Sequence, residues 1–191
     1  MKVVAFNGSA RLDGNTAILL KTVLAELEKE GLATELIQLA GKQLRGCMAC
    51  YKCFERKNKR CANDSDELNL YIEKILESDG VILGSPTYFG DLTSELKALI
   101  DRAGFVGRAN DNMYQRKVGA GVAVARRAGA LHTVDSINHF FLLSQMIIPG
   151  SSYWALGFGR NKGEVEQDAE GLETMRNLGR NMAWLIKKLK A

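Results

Sequence analysis

Every cysteine of the 191-residue chain falls in one stretch, GCMACYKCFERKNKRC at 46–61. Cys47, Cys50 and Cys53 follow one another with two residues between them, and Cys61 comes after seven more. Thiols so placed could form disulfides, hold zinc, ligate an iron–sulfur cluster or react as nucleophiles. Zinc sites usually separate two Cys-x-x-Cys pairs by a longer arm. Three cysteines at successive two-residue gaps instead match the ferredoxin run, whose thiolates hold irons of a cubane cluster. Cys61 is the candidate fourth ligand, although that run ends in a shorter gap and a proline, both absent here. Lys52, Arg56, Lys57, Lys59 and Arg60 crowd the same stretch. They would offset thiolate charge or dock an acidic electron carrier; an ordinary solvated loop has the same composition.

Two further stretches carry groups suited to a ligand. NGSARLDGNT (7–16) runs from a short apolar segment into a helical one. A helix N-terminus offers unpaired N–H groups and partial positive charge, which suit a phosphate. Ser9, Asn15 and Thr16 add short hydrogen-bond donors and Arg11 a cation. The stretch lacks the Gly-Lys-Ser/Thr ending of a nucleoside-triphosphate loop and the G-x-G-x-x-G of a dinucleotide loop. A monophosphate cradle and a plain polar turn with a helix cap remain equal readings. In GSPTYFGDLTSELKALIDR (84–102), Pro86 fixes one backbone angle and Gly90 frees another. Between them stand Thr87, Tyr88 and Phe89; the two rings either meet a flat ligand or pack inward.

These loops must be positioned by regular elements. Apolar runs predict strands over 2–8, 34–40, 80–85 and 117–125, and one within 145–157. Helical periodicity predicts helices over 15–31, 63–78, 92–104, 131–144 and 164–190, the third of these following the third strand. Asp64 and Glu67 have nearly the spacing of a capping box for the second helix. Five alternations of strand and helix imply an α/β protein with a parallel sheet covered on both faces. Ligands then bind where loops leave the strand C-termini, at 7–16, 41–65, 85–91, 126–130 and 157–163. Gly119-x-Gly121 lies inside a strand and is no cofactor fingerprint. His132 and His139 have no partner motif.

The length fits one domain, 1–191, with a Cys-rich loop at 46–61. A net charge of +4 is too small to argue for nucleic acid. Apolar runs are too short for a membrane span, and the N-terminus does not read as a leader. A cytoplasmic protein is expected, and reduced thiols there argue against disulfides.

GSARLDGNT and GSPTYFGDLTSELKALIDR together resemble the flavodoxin-like NAD(P)H-dependent FMN reductase family, over nearly the whole chain. The resemblance implies a flavodoxin-like three-layer sandwich with a five-stranded parallel sheet, order 2-1-3-4-5. It implies that Ser9, Arg11, Asn15 and Thr16 hold the FMN phosphate. Pro86, Thr87, Tyr88, Phe89 and Gly90 would line the isoalloxazine, joined by Arg126, Arg127 and Gly129 from the loop after strand four. No catalytic side chain is required, because the chemistry belongs to flavin N5. Within this family the cysteine arrangement resembles the iron–sulfur flavoproteins, with Cys47, Cys50, Cys53 and Cys61 ligating one [4Fe–4S] cluster. The expected function is an FMN-dependent oxidoreductase passing electrons between FMN and that cluster. The alternatives are a cluster-free NAD(P)H-dependent FMN or quinone reductase, with NAD(P)H as co-substrate, and a non-enzymatic redox carrier or sensor. Expected partners are a small-molecule electron donor or acceptor, or a carrier such as ferredoxin, with no nucleic acid and no membrane. A homodimer or dimer of dimers is expected, with residues 104–117 as an arm over a neighbour's flavin.

Overall fold

The buried runs of the sequence pair side by side as one sheet. The structure, a computed structural model, describes residues Met1–Ala191. Its strands are β1 (Lys2–Asn7), β2 (Ala33–Gln38), β3 (Gly80–Pro86), β4 (Val118–Ala125) and β5 (Leu156–Phe158). All pairs are parallel and the order is β2-β1-β3-β4-β5, as expected. The helices are α1 (Asn15–Lys29), α2 (Lys52–Arg56), α3 (Leu68–Glu77), α4 (Ser94–Ala109), α5 (Ala130–Leu143) and α6 (Ala169–Lys190), with a 3-10 turn at Glu164–Gln167 before the last.

Strand periodicity of two divides the core into two layers. Val4, Phe6, Val81 and Leu83 face α3 and α4, where Ile72, Leu96 and Leu99 meet them. Val3, Ala5, Ile82, Val122 and Val124 face α1 and α6, against Leu19, Leu20, Met175 and Met182. The apolar stripe of α6 is thus core, as far as Ile186; Leu189 is exposed. Gly119 and Gly121 have a packing purpose. A Cβ on Gly119 would lie 2.5 Å from the Phe141 ring, and one on Gly121 3.0 Å from Ile137. Those glycines let α5 sit close on β4.

Three expectations need correction. The second predicted helix begins at Leu68 rather than 63, because Asp66 Oδ1 takes the Leu68 N–H and the residues before it turn to serve α4. No Asp64/Glu67 capping box forms: Asp64 accepts from Asn69 Nδ2, and Glu67 from the Tyr71 hydroxyl. Residues 104–117 are not an arm. Residues 104–109 finish α4, and the turn after it tucks Tyr114 under Gly107, where the ring is 1 % exposed and its hydroxyl has no partner. Burial of that apolar ring outweighs reaching outward. No helix is long and apolar enough to cross a membrane.

Candidate functional site

The sheet topology reverses between β1 and β3, and the loops leaving their C-termini meet there. Asn7 Nδ2 donates to Gln38 Oε1 at 2.6 Å, and Gln38 Nε2 to the Ser9 carbonyl at 2.6 Å. The Ser9 N–H returns to Asn7 Oδ1, and Ser9 Oγ accepts from the Arg11 N–H at 3.1 Å. From the other side, Thr93 Oγ1 donates to the Gly8 carbonyl at 2.8 Å. The first loop is therefore fixed by side chains from three elements before any ligand is considered. Asn7, Gln38 and Thr93 were absent from the predicted site; only the fold brings Gln38 to Ser9 and Thr93 to Gly8, whereas Asn7 closes a local turn.

At the start of α1 the backbone is left open. Gly14 occupies the cap position and supplies no side chain. The N–H groups of Gly14, Asn15, Thr16 and Ala17 have no protein acceptor, and the Thr16 hydroxyl has no protein partner either. The Asn15 side chain is spent elsewhere: it donates to the Asn161 carbonyl at 2.8 Å and accepts from the Gly163 N–H at 2.9 Å. It ties the loop after β5 across the helix start, leaving its backbone N–H for a ligand. Arg11 is exposed and uses one N–H on the Arg160 carbonyl at 3.2 Å, with the rest of its fork free. Uncapped N–H groups, a helix dipole and a free cation fit a phosphate.

The second loop presents rings outward. Tyr88 and Asp91 exchange backbone hydrogen bonds of 2.8 and 3.1 Å, closing a tight turn with Phe89 and Gly90 both at positive φ. Phe89 is fully exposed and Tyr88 half so, which overrules the reading that they pack inward. The third loop is fastened to the second. The Thr87 N–H donates to the Val124 carbonyl at 2.7 Å, and the Thr87 and Thr133 hydroxyls are 2.9 Å apart. Gly129 has φ +89°, and a Cβ there would stand 3.2 Å from Thr87. Arg126 and Arg127 lie exposed beside it. Pro86 ends β3 and is half-buried. The predicted loops thus converge on one edge, with an apolar face beside an anion site. That arrangement suits a flat ligand carrying a phosphate, and FMN fits it.

The cysteine stretch leaves β2 at this same edge but does not stay there. All four thiols line one concavity, closed by Arg102, Phe105 and Val106 of α4. Those residues lie two to three turns beyond Ser94, roughly 12–18 Å down the helix at 1.5 Å per residue. Burying Leu44, Cys53 and Cys61 against the α3–α4 layer draws the segment down that face. Cys61 is the most firmly held. Its N–H donates to Asn69 Oδ1 at 2.7 Å, Asn69 Nδ2 returns to its carbonyl at 3.0 Å, and Arg102 Nε donates to its sulfur at 3.3 Å. Cys47 and Cys50 are exposed, and the Ala49 N–H points at Cys47 Sγ from 3.4 Å. Burial pushes the Cys53 thiol up, and the nearby Cys61 and Cys47 add to the rise. Burial would also raise the Asp66 carboxyl. Hydrogen bonds from Arg102 and from the Arg45 and Leu68 N–H groups override it and hold the group below the usual carboxylate range.

No three His, Cys, Asp or Glu side chains converge closely enough to hold a single metal ion. A cubane spaces its thiolates farther apart than one tetrahedral ion does, so four sulfurs around one concavity with N–H donors aimed at two of them fit a cluster better than zinc. Arg102 and Asn69 were missed from sequence; the one signal is that both are polar residues on otherwise apolar helix faces.

Comparison with known proteins narrows the class. The family described as NADPH-dependent FMN reductase matches residues 1–161. An iron–sulfur flavoprotein of Methanocaldococcus jannaschii is 39% identical, with all of both chains covered. An iron–sulfur flavoprotein of Methanosarcina thermophila is 28% identical, over 100% of this chain and 97% of the relative. Among solved structures, a WrbA-like flavodoxin of Agrobacterium tumefaciens superposes with a TM-score of 0.67 at 17% identity, covering 98% of this chain and 97% of that one. RosB, solved with a bound formylriboflavin phosphate, gives 0.76 at 19% identity, covering 100% and 80%. At those identities the structural likeness speaks to the fold.

Proposed function

The chain belongs to the NADPH-dependent FMN reductase family and is an FMN-dependent oxidoreductase, and from that premise we propose that it is an iron–sulfur flavoprotein whose thiols hold a [4Fe–4S] cluster. The observation that carries this reading is the single concavity lined by Cys47, Cys50, Cys53 and Cys61. When bound, FMN takes and gives electrons in pairs at N5 and the cluster passes them singly. The residues do the binding and shielding. The open N–H groups at the start of α1, the Thr16 hydroxyl and the Arg11 guanidinium hold the FMN phosphate, with Ser9 and Asn15 bracing the loop that presents them. Pro86, Thr87, Tyr88, Phe89 and Gly90 offer the isoalloxazine an apolar face, with Arg126 and Gly129 at its border. Lys52, Arg56, Lys57 and Lys59 flank the thiols and suit an acidic electron carrier. A homodimer or dimer of dimers belongs to the reading, and light scattering of the flavin-loaded protein tests it.

A cluster-free NAD(P)H-dependent reductase is the second reading, favoured by the family match, which is described as an NADPH-dependent FMN reductase and spans residues 1–161. The visible spectrum of anaerobically purified protein separates the two. Flavin bands with a broad underlying absorbance that bleaches on reduction are expected. Flavin bands alone, after anaerobic supply of iron and sulfide, overturn the cluster.

A further inference from the structure

Arg102 is among the largest side chains wholly enclosed in the protein, and only 1 % exposed. A buried guanidinium is costly unless its charge is paired and its donors are used. Asp66 Oδ2 accepts from Nη1 at 2.5 Å, the Arg45 carbonyl accepts from Nη1 at 3.1 Å, and the Asn63 carbonyl accepts from Nη2 at 2.6 Å. These three partners flank the cysteine stretch, Arg45 before Cys47, Asn63 and Asp66 after Cys61. One side chain of α4 thus clamps both ends of a loop that has almost no regular structure. A fourth donor, Nε–H, goes to the sulfur of Cys61, and the second Nη2–H has no protein acceptor.

That last contact is chemically informative. A neutral thiol is a poor acceptor, whereas a thiolate is a good one. Structural satisfaction of the guanidinium would be served by a fourth oxygen. Here a charged donor stands 3.3 Å from the sulfur of a residue whose backbone N–H and carbonyl are both held by Asn69, so the guanidinium is aimed at the atom that would ligate iron. Hydrogen bonds to ligand sulfurs and net charge near them are among the levers that set a cluster's potential.

We propose that Arg102 is the positioning residue of the thiol site and sets its reduction potential through the Nε–H···Sγ bond to Cys61, with Asp66 as the opposing charge that moderates it. The inference rests on the cluster reading and deepens it. Reduction places one electron, supplied in a titration by dithionite, on the iron–sulfur centre. No bond would be made or broken, and the added negative charge would lie on a centre that Cys61 helps to ligate. Arg102 stabilises that charge and raises the potential; Asp66 cancels part of the guanidinium charge and lowers it. The two residues therefore have opposite signs, which a merely structural role does not predict. Lysine at 102 keeps the charge but cannot serve four acceptors in a planar fork, so it loses the sulfur bond.

The test is a redox titration of anaerobically reconstituted holoprotein, read by the EPR signal of the reduced cluster, with iron content and the bound FMN potential measured on the same samples. Asp66→Asn keeps the shape and the acceptor oxygen and removes the opposing charge. It is expected to favour cluster reduction by about tenfold, an upward shift of about 59 mV for a one-electron couple. Arg102→Lys is expected to shift it by a similar amount downward, and FMN is expected not to move in either. An Asp66→Asn cluster with wild-type iron content and an unmoved or lowered potential overturns the inference, even where Arg102→Lys fails to assemble. Wild-type protein that takes up no iron is a different result: it overturns the cluster reading itself, and this inference with it.

Discussion

The loop that opens α1 and the loop that carries the cysteines leave neighbouring strands at the same edge, yet they are built in opposite ways. In the first, side chains are consumed by the scaffold and the backbone is left free. Asn7, Gln38, Asn15 and Thr93 all bond to other loops, while the N–H groups of residues 14–17 bond to nothing. In the second, the backbone has few partners and the side chains are free. Ala49, Tyr51, Lys57 and Lys59 all sit at positive φ, a conformation that costs a non-glycine residue about 1–2 kcal/mol. Among the four cysteines, only Cys61 is held by side chains of α3 and α4. An anion site made of backbone comes ready from the sheet topology. A thiol site made of side chains is half complete, and binding a metal centre would supply the rest of its ordering.

This contrast predicts separable losses. The largest is expected from Arg11→Ala with Thr16→Ala. Each bond to a charged phosphate contributes about 1.5–3 kcal/mol, so FMN affinity should fall by about two orders of magnitude or more. Flavin fluorescence titration measures it. Iron content should hardly change, and unchanged flavin affinity would remove the phosphate assignment. Next is Asn69→Ala, which leaves the Cys61 N–H and carbonyl unpaired. A loss of about 1–3 kcal/mol in urea unfolding is expected, with poorer iron retention and normal FMN content. Equal loss of flavin and iron would erase the distinction between the two loops.

The smallest effect concerns pH. Asp66 is held below its unfolded value, so its contribution is fully present above pH about 4 and is lost as pH falls through its folded value. Wild type should lose stability on acidification in that window more steeply than Asp66→Asn, as read by thermal melts between pH 6 and 3. Parallel curves would show that the Arg102 pair does not anchor the loop.

Sequence and structure agree where information is local. The periodicity of α1, α4 and α6 and the buried runs of β1, β3 and β4 were legible, and the loops at their ends followed from the alternation of strand and helix. What escaped was non-local. Gln38 acts on Ser9, Asn161 on Asn15, and Arg102 on Cys61, all across gaps in the chain that no spacing rule spans. The seven-residue gap before Cys61 is longer than the last gap of the ferredoxin run. It is the chain's route through α2 and past it to an anchored cysteine on the α3–α4 face. Residues 104–117 were long enough to read as an arm, but they finish α4 and one buried ring, Tyr114, folds the turn back.

Iron and acid-labile sulfide per subunit after anaerobic reconstitution, measured beside FMN in wild type and in Cys50→Ser, test most directly whether both loops carry a redox centre. About four irons and four sulfides are expected in the wild type, as for one [4Fe–4S] cluster. The Cys50→Ser variant should lose them while FMN stays. Wild-type protein that fills with FMN but takes up no iron would contradict the account and leave a flavin reductase with four free thiols.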